Sequence, residues 1–363
     1  MTEKSLLKNI DWKLIFLLVL ISIIGVFVIY SSSRYLPGNY FVRQIIFMLI
    51  SLAVLFIFLT VNYRKLITYS LYIYIVLVGI LVGILLFGRF IAGTKSWIRL
   101  PLFQVQPSEL TKIAIVLVLA KVFASHKDRF VSRRRGLFGA SLVLVPFILT
   151  AIQPDLGTAL IFVVILAAAL YLAGLRTKTV VILLVLAVIL ASLGWMFGLK
   201  DYQKKRITTL ILPQKDPQGA GYHILQSKIA IGAGGMFGKG FQKGSQSQLR
   251  FLPARHTDFI FSVIGEEFGF AGVAVVLLLY IVFISRLFSS VKKSRDRGGV
   301  YIIFMVAVMI SFQFFINVFM VIGFFPVAGI PLPMLSYGGS SLLTHYLAVS
   351  LVLNVKMRRF VNI

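Results

Sequence analysis

The residue with the clearest potential for chemistry is Asp258, which directly precedes an apolar run over 259–288. That run is long enough to cross a bilayer, so the carboxyl group is expected at the membrane edge. Ionisable groups at membrane depth are costly and rarely occur there without a function, and a carboxylate can act as an acid–base group. The structural alternative is that Asp258 only favours the positive end of a helix dipole, with Thr257 as the capping residue.

Two further carboxyl groups, those of Glu109 and Asp155, also lie where apolar runs begin. Glu109 and Lys112 are three residues apart in PSELTK, which begins a predicted helix, so they share a helix face. An ion pair facing the interior of a bundle indicates a polar cavity, because its burial is costly. Asp155 lies in the QPDLG break between two apolar runs, where freed backbone groups must face protein or water. Capping of the following helix is the alternative role of Asp155.

Membrane helices are the elements that must position these residues. The chain has 363 residues, of which 59% are hydrophobic, and a mean hydropathy of +0.96. We therefore predict an all-α integral membrane protein with about ten transmembrane helices, as a single polytopic domain over 1–363. The predicted spans are 13–30, 42–60, 66–87, 108–124, 137–152, 156–174, 178–198, 259–288, 299–324 and 338–355. The chain has no cysteine, which excludes disulfide and thiol chemistry.

Basic residues predict the orientation. With ten spans, both termini share one side with the connections 62–66, 121–137, 174–178 and 286–298. Most of the 37 Lys and Arg residues fall on that side, including the arginines at 133–135. Short connections rich in Lys and Arg stay in the cytoplasm, so both termini are predicted cytoplasmic. Glu109, Asp155 and Asp258 then lie at the outer ends of spans.

A long outer connection over 199–257 separates the seventh and eighth spans and carries ten basic and two acidic residues. It is either a solvated loop near anionic lipid headgroups or a site for an anionic substrate such as a lipid pyrophosphate. No recognised nucleic-acid-binding module accompanies the charge. The segment 222–233 predicts a short amphipathic helix on the membrane surface. The glycines over 232–240 suit turns, with a phosphate-cradling loop as the alternative.

The last outer connection, FPVAGIPLPMLSYGGSS, is rich in proline, glycine and hydroxyl groups. Its small residues, including Ser336, either permit close helix packing or line a pocket. Polar chemistry is thus concentrated on one side of the membrane. A transporter would more naturally place ionisable groups near the midplane and use inverted halves.

Five segments taken together resemble the SEDS family, the polytopic enzymes of bacterial cell-wall synthesis. They are WIRLPLFQVQPSELTK (97–112), QPDLGTAL (153–160), DPQGAGYHILQSKIAIGAGGMFGKG (216–240), FLPARHTDFIFSVIGEEFGF (251–270) and GIPLPMLSYGGSS (329–341). They occur in family order and cover nearly the whole chain. Gln153 before PDLG, together with KGSQSQLRFLPARHTDF, indicates the RodA (elongation) branch rather than the FtsW branch. One departure is Ser96, where many members have arginine.

The resemblance implies a peptidoglycan glycosyltransferase that polymerises lipid II into glycan strands in cell elongation and shape maintenance. It implies an active site on the outer face of the bacterial cytoplasmic (inner) membrane. The implied partners are a class B penicillin-binding protein (a transpeptidase), other elongation-machinery proteins, the nascent glycan strand and membrane lipids. The family's essential aspartate falls on Asp258, its Glu/Lys pair on Glu109 and Lys112, and its other notable aspartate on Asp155.

Asp258 is therefore the expected general base, which takes a proton from the sugar 4-hydroxyl of the acceptor. Direct displacement would invert the anomeric carbon, and undecaprenyl pyrophosphate would leave without an acid. Positive charge must stabilise this leaving group. The candidate substrate-binding residues are Glu109, Lys112, Asp155, Arg206, Lys228, Lys239, Arg250, Arg255, His256 and Ser336.

A divalent cation (Mg²⁺ or Mn²⁺) beside Asp258 or Asp155 is a further source of charge, although no ligand spacing is recognisable. No organic cofactor is expected. Two alternative functions stay open. A lipid II flippase predicts a polar path to the other leaflet. A non-catalytic membrane scaffold for a class B penicillin-binding protein predicts that Asp258→Asn leaves function intact.

Overall fold

A computed structural model describes residues 9–34, 36–88, 95–99, 104–125, 130–175, 219–249, 251–252 and 254–360. This part of the chain is a helical bundle with one short antiparallel ladder, in which Ile98 pairs with Val105. Its elements are α1 (Trp12–Ser33), α2 (Tyr40–Thr60), α3 (Tyr63–Thr68), α4 (Ser70–Phe87), β1 (Ile98–Arg99), β2 (Gln104–Val105), α5 (Pro107–Ala124), α6 (Arg133–Ile152), α7 (Leu156–Leu172), α8 (Ala220–Ala233), α9 (Ser245–Gln248), α10 (Ile260–Val291), α11 (Arg297–Ile322), α12 (Gly339–Met357) and a final 3₁₀ turn (Arg358–Phe360).

The apolar runs form helices because lipid offers no hydrogen-bond partner, so a spanning segment must satisfy its own backbone groups. Among the described residues six helices, α1, α2, α4, α6, α10 and α11, are long and apolar enough to cross a membrane. Helix α7 is apolar but has only 17 residues. The chain is therefore a multi-pass membrane protein.

Nine of the ten predicted spans coincide with helices of the described residues, and the span predicted at 178–198 lies outside them. The crossing of all ten segments stays a prediction. The span predicted at 66–87 is divided, since α3 ends at Thr68 and α4 begins at Ser70. The helix predicted at 222–233 is confirmed as α8. Arg206 and Arg250 lie outside the described residues.

Helix α5 is the centre of the bundle, packed against α4, α7, α11 and α12. Its side chains are buried almost without interruption from Pro107 to Ala120. This burial carries Glu109 and Lys112 into the protein interior. Helices α5, α7, α10 and α12 all begin at one end of the bundle, here called the Asp258 end.

Ionic contacts close the opposite end, where α11 begins, here called the Asp296 end. Asp11 accepts a hydrogen bond from Arg286 (Nη2 to Oδ1, 2.6 Å) and pairs with Lys356. Burial raises the pKa of Asp11, but the hydrogen bonds from Arg286 and Lys356 outweigh it, so the pKa is lowered. These contacts join α1, α10 and α12.

Candidate active site

Asp258 lies on the segment 254–259, which leads into α10. Three consecutive carbonyl groups of this segment accept hydrogen bonds from distant residues. These bonds are Tyr337 N–H to His256 O (2.9 Å), Ser336 Oγ–H to Thr257 O (2.6 Å) and Asn317 Nδ2–H to Asp258 O (2.9 Å). Because the donors come from α11 and from the loop before α12, the backbone at Asp258 is fixed from two sides.

The Asp258 side chain is partly exposed. It lies close to the turn at Gly329, where a Cβ atom would be 4.0 Å from Oδ2 of Asp258. Gly329 has a φ of +66°, in the left-handed region that glycine adopts without steric cost. The absence of a side chain at this turn leaves the space beside the carboxylate open.

Thr257 does not have the capping role that was the structural alternative for this helix start. The N-cap of α10 is Phe259, and no side chain makes a capping hydrogen bond there. The Thr257 hydroxyl instead donates back to Ala254 O (3.1 Å). The carboxylate of Asp258 is thus not the cap of the helix that follows it.

His256 packs between two tyrosine rings, with ring centroids 4.8 Å from Tyr40 and 5.6 Å from Tyr337. Burial, and then the charge of Arg255, lower the pKa of His256 to about 4. The imidazole is therefore neutral at pH 7. An orienting role of His256 towards Asp258 stays a prediction.

Arg255 is buried, and its Nε donates to Ser32 O (2.5 Å) in the last turn of α1. A cation near the end of a helix is favoured by the partial negative charge of the terminal carbonyl groups. The structure therefore gives Arg255 a role in joining α1 to the Asp258 segment.

Glu109 and Lys112 form the predicted ion pair within α5, with Lys112 Nζ 2.7 Å from Glu109 Oε2. Both side chains are almost completely removed from solvent. A buried pair of this kind is stable only while both charges are present.

Two polar residues near this pair were not singled out by sequence. His345 of α12 bonds Ser341 O through Nδ1 (2.6 Å) and Gln313 of α11 through Nε2 (3.0 Å). The charge of Lys112 acts on His345, so the pair and the histidine share one polar region. An ionisable residue inside the predicted span 338–355 was the signal available for His345.

Asp155 is connected to α5 and α12. Its Oδ2 accepts from Gln106 Nε2 (2.6 Å), and the Gln106 backbone N–H donates to Ser340 Oγ (3.0 Å). Oδ1 accepts from Thr158 N (3.1 Å), so Asp155 has the alternative role of capping α7, and its substrate-binding role stays a prediction. Burial is the main cause of a raised pKa at Asp155. These bonds bring the segments 97–112, 153–160 and 329–341 together at the Asp258 end.

The Ser336 side chain makes hydrogen bonds to backbone groups. Its hydroxyl donates to Thr257 O and accepts from Leu332 N (2.9 Å). Gln44 of α2, which no sequence pattern indicated, donates to Ser336 O and accepts from Gly338 N, both at 3.3 Å. These bonds hold the last connection against the Asp258 segment.

Lys228 and Lys239 differ in their surroundings. Lys239 Nζ pairs with the buried Glu266 of α10 at 3.1 Å. Lys228 is exposed on α8, and its side chain lies over Gly323 at the end of α11. Within the described residues the Lys228 ammonium group has no ion pair. Lys228 is therefore the better placed of the two to meet an anionic ligand.

The glycine-rich segment 232–240 docks on a break in α10 at Gly269, whose φ is +65° and ψ −161°. The backbone bonds across this contact are Lys239 N to Glu266 O (3.0 Å), Gly240 N to Glu267 O (3.0 Å), Phe270 N to Gly235 O (2.8 Å) and Ala271 N to Met236 O (3.0 Å). The segment thus satisfies groups that the break would leave unpaired. This arrangement supports its interpretation as turns and close backbone approach.

Among the described residues no group of three or more His, Asp or Glu side chains could hold a metal ion.

Comparisons with known proteins identify the family. Residues 11–360 match the model of the FtsW/RodA/SpoVE family, described as cell cycle proteins. The peptidoglycan glycosyltransferase MrdB of Escherichia coli K12 is 38% identical over 288 residues, covering 79% of this chain and 78% of MrdB. A probable peptidoglycan glycosyltransferase FtsW of Trichlorobacter lovleyi is 35% identical over 359 residues, covering 96% and 93%.

Two solved structures share the fold. A chain of a peptidoglycan synthase complex, studied for the coordination of polymerization and crosslinking, superposes with a TM-score of 0.84 at 30% identity, covering 97% of this chain and 99% of that one. The rod shape determining protein RodA of Thermus thermophilus superposes with a TM-score of 0.73 at 29% identity, covering 97% and 98%. This chain therefore belongs to the FtsW/RodA/SpoVE family, the SEDS proteins, and its neighbours support the RodA branch.

Proposed function

We propose that this protein is a peptidoglycan glycosyltransferase that polymerises lipid II into glycan strands during cell elongation. The single observation that carries the proposal is the partly exposed Asp258 carboxylate on a backbone fixed by three long-range hydrogen bonds. Preorganised groups of this kind are what a catalytic site requires. The family membership and the glycosyltransferase relatives supply the reaction class.

In the proposed reaction Asp258 accepts the proton of the acceptor's sugar 4-hydroxyl as its oxygen attacks the anomeric carbon of the donor. The bond from that carbon to the pyrophosphate oxygen breaks, and the anomeric configuration inverts. Undecaprenyl pyrophosphate leaves with the bonding electron pair. No second carboxyl group is needed to protonate such a leaving group.

Cations must stabilise the charge that develops on the pyrophosphate. Lys228 is the described residue that we assign to this task, because it is exposed and lies on α8, which packs against the start of α10. Arg206 and Arg250 remain candidates from sequence. Arg255 and Lys239 are assigned to positioning, since they bond Ser32 and Glu266. We assign Lys112 and Glu109 a pairing role within the bundle, and Asp155 the capping of α7.

The proposal includes an assembly and an orientation. A class B penicillin-binding protein would crosslink the strands beside this protein, as the similarity to a chain of a peptidoglycan synthase complex supports. Ten spans would place both termini in the cytoplasm and the Asp258 end on the outer face.

A divalent cation is a separate part of the proposal. Mg²⁺ or Mn²⁺ held near Asp258 would stabilise the negative charge that develops on the leaving pyrophosphate. Polymerisation by chelator-treated protein, with and without added Mg²⁺, Mn²⁺ or Ca²⁺, tests this requirement. Equal polymer yields with and without added cation would show that the reaction needs no divalent cation.

The central test uses the purified full chain and labelled lipid II, with and without the penicillin-binding partner. Asp258→Asn is expected to lower polymer yield by at least about 100-fold, the usual effect of losing a general base. Asp128→Asn, the same chemical change in the connection between α5 and α6, serves as the matched control. Equal polymer from Asp258→Asn and wild type would contradict the catalytic assignment.

The same preparations separate the two alternatives. A flippase would move labelled lipid II between the leaflets of a vesicle without producing polymer. A scaffold would stimulate its partner equally well with Asp258 or Asn at this position.

A further inference from the structure

A cavity of about 380 Å³ lies at the Asp296 end of the bundle, where α5 ends and α6 begins. Its lining combines two guanidinium groups, two hydroxyl groups and two apolar side chains. The lining residues are Val122, Ser125, Ser132, Arg134, Arg135 and Phe138. Helix α5 is about 27 Å long at 1.5 Å per residue, so this cavity lies far from Asp258.

Positive charge is concentrated at the cavity. Arg133, Arg134 and Arg135 form the first turn of α6, and that turn contains no acidic residue. The partial positive charge of a helix N-terminus adds to theirs. Within the described part of the chain none of the three arginines has an ion-pair partner. The three like charges repel one another, and an anion bound here would relieve that repulsion.

The location of the cavity indicates what kind of anion reaches it. It lies at the end of α5 and the start of α6, one of the helices able to span a membrane, so it lies at the level of the lipid headgroups. Leu137 and Phe138 of α6 are 61% and 54% exposed. Such apolar side chains on a membrane helix face acyl chains. The cavity therefore opens towards lipid.

We propose that this cavity binds the headgroup of an anionic phospholipid from the leaflet at the Asp296 end. Arg134 and Arg135 supply charge-assisted donors for the phosphate, and Ser125 and Ser132 supply hydroxyl donors. Val122 and Phe138 provide an apolar surface for the start of the acyl chains. Basic pockets between membrane helices are suited to such headgroups. The proposal is independent of the glycosyltransferase assignment.

The test uses the full chain in nanodiscs of phosphatidylcholine containing a few per cent phosphatidylglycerol. Native mass spectrometry counts the lipids retained after release. Arg134→Gln/Arg135→Gln is expected to weaken retention of one phosphatidylglycerol by about 10- to 30-fold, the effect of two basic residues at a lipid surface. The charge-preserving pair Arg134→Lys/Arg135→Lys is expected to lose about threefold, because lysine cannot bind phosphate bidentately.

Lys292→Gln/Lys293→Gln is the matched control, since it removes two exposed charges near the end of α10, outside the cavity lining. It is expected to change retention less than twofold. An equal loss in the control, unchanged retention in the arginine pair, or equal retention of phosphatidylcholine would overturn the proposal. Displacement of the lipid by millimolar inorganic phosphate would identify a general anion site instead. Should the double variant not fold, each single variant replaces it, with about a 3- to 5-fold loss expected.

Discussion

The carboxamide of Asn317 bonds two backbone carbonyl groups that are far apart in sequence, those of Asp258 (2.9 Å) and Ile330 (2.8 Å). One side chain of α11 thereby holds the candidate catalytic segment against the turn of the last connection. Gly329, next to Ile330, is the residue whose missing side chain leaves space beside the Asp258 carboxylate.

Asn317→Ala is expected to displace the Asp258 segment. One buried and one partly buried carbonyl group would lose their donor, which costs about 1–3 kcal/mol of unfolding free energy for each group left unsatisfied. Displacement of a catalytic group by about 1 Å lowers the rate roughly 100-fold. Polymer formation from labelled lipid II measures the rate, and thermal unfolding measures stability.

Asn354→Ala is the control for this change. Asn354 also holds backbone carbonyl groups, Phe58 O (2.8 Å) and Val61 O (2.6 Å), but at the Asp296 end. It should lower stability similarly and leave the rate per folded molecule unchanged. Equal losses of rate in both variants would contradict a specific role of Asn317.

His256 should make stability dependent on pH. Its pKa is about 4 in the folded protein and 6.5 as the unperturbed value. Between these values the unfolded chain takes up a proton that the folded protein does not. Stability is therefore complete above pH 6.5 and falls as the pH decreases towards 4, by at most about 3 kcal/mol. Partial exposure reduces this amount by solvent screening.

His256→Gln removes this titration. Because only the wild type carries this titration, its unfolding temperature should fall relative to that of the variant as the pH is lowered from 7.5 to 4.5. Parallel curves for the two proteins would show that His256 does not titrate in this way.

The Glu109–Lys112 pair should behave as a unit. Lys112→Met leaves a buried carboxylate without its partner and should cost roughly 3–5 kcal/mol. Adding Glu109→Gln should recover at least half of that lost stability. The unfolding temperatures of the single and double variants measure the recovery. The rate per folded molecule should stay low in both variants, since the polar region with His345 is altered. Additive effects of the two substitutions on stability would contradict the pairing.

The contact between the glycine-rich segment and α10 can be tested with two glycines. Gly238 has a φ of +79°, and a Cβ there would be 2.2 Å from Glu267 O. Gly238→Ala should therefore destabilise the protein by several kcal/mol. Gly232→Ala meets nothing within 4 Å and lies inside α8, so it should stabilise by up to about 1 kcal/mol. Urea or thermal unfolding of both variants provides the comparison, and equal effects would argue against the docked arrangement.

The local sequence was sufficient to predict the helices and the contacts within them. A run of apolar residues in lipid has few alternatives to a helix, so nine predicted spans fall on helices of the described residues. The spacing of Glu109 and Lys112 predicted their ion pair, since residues three apart share a helix face. The position of Asp155 before an apolar run indicated capping as its alternative role, and the structure shows that cap.

Only the tertiary structure decided which distant groups meet. The donors to the Asp258 segment lie 59 to 81 residues further along the chain, at Asn317, Ser336 and Tyr337. Likewise, Lys239 meets Glu266 only because the glycine-rich segment docks on the break in α10. Local periodicity reports which face of a helix is apolar, whereas partners across the bundle depend on how the helices pack. The sequence by itself therefore determined the candidate residues, and the packing of the helices determined which of them meet.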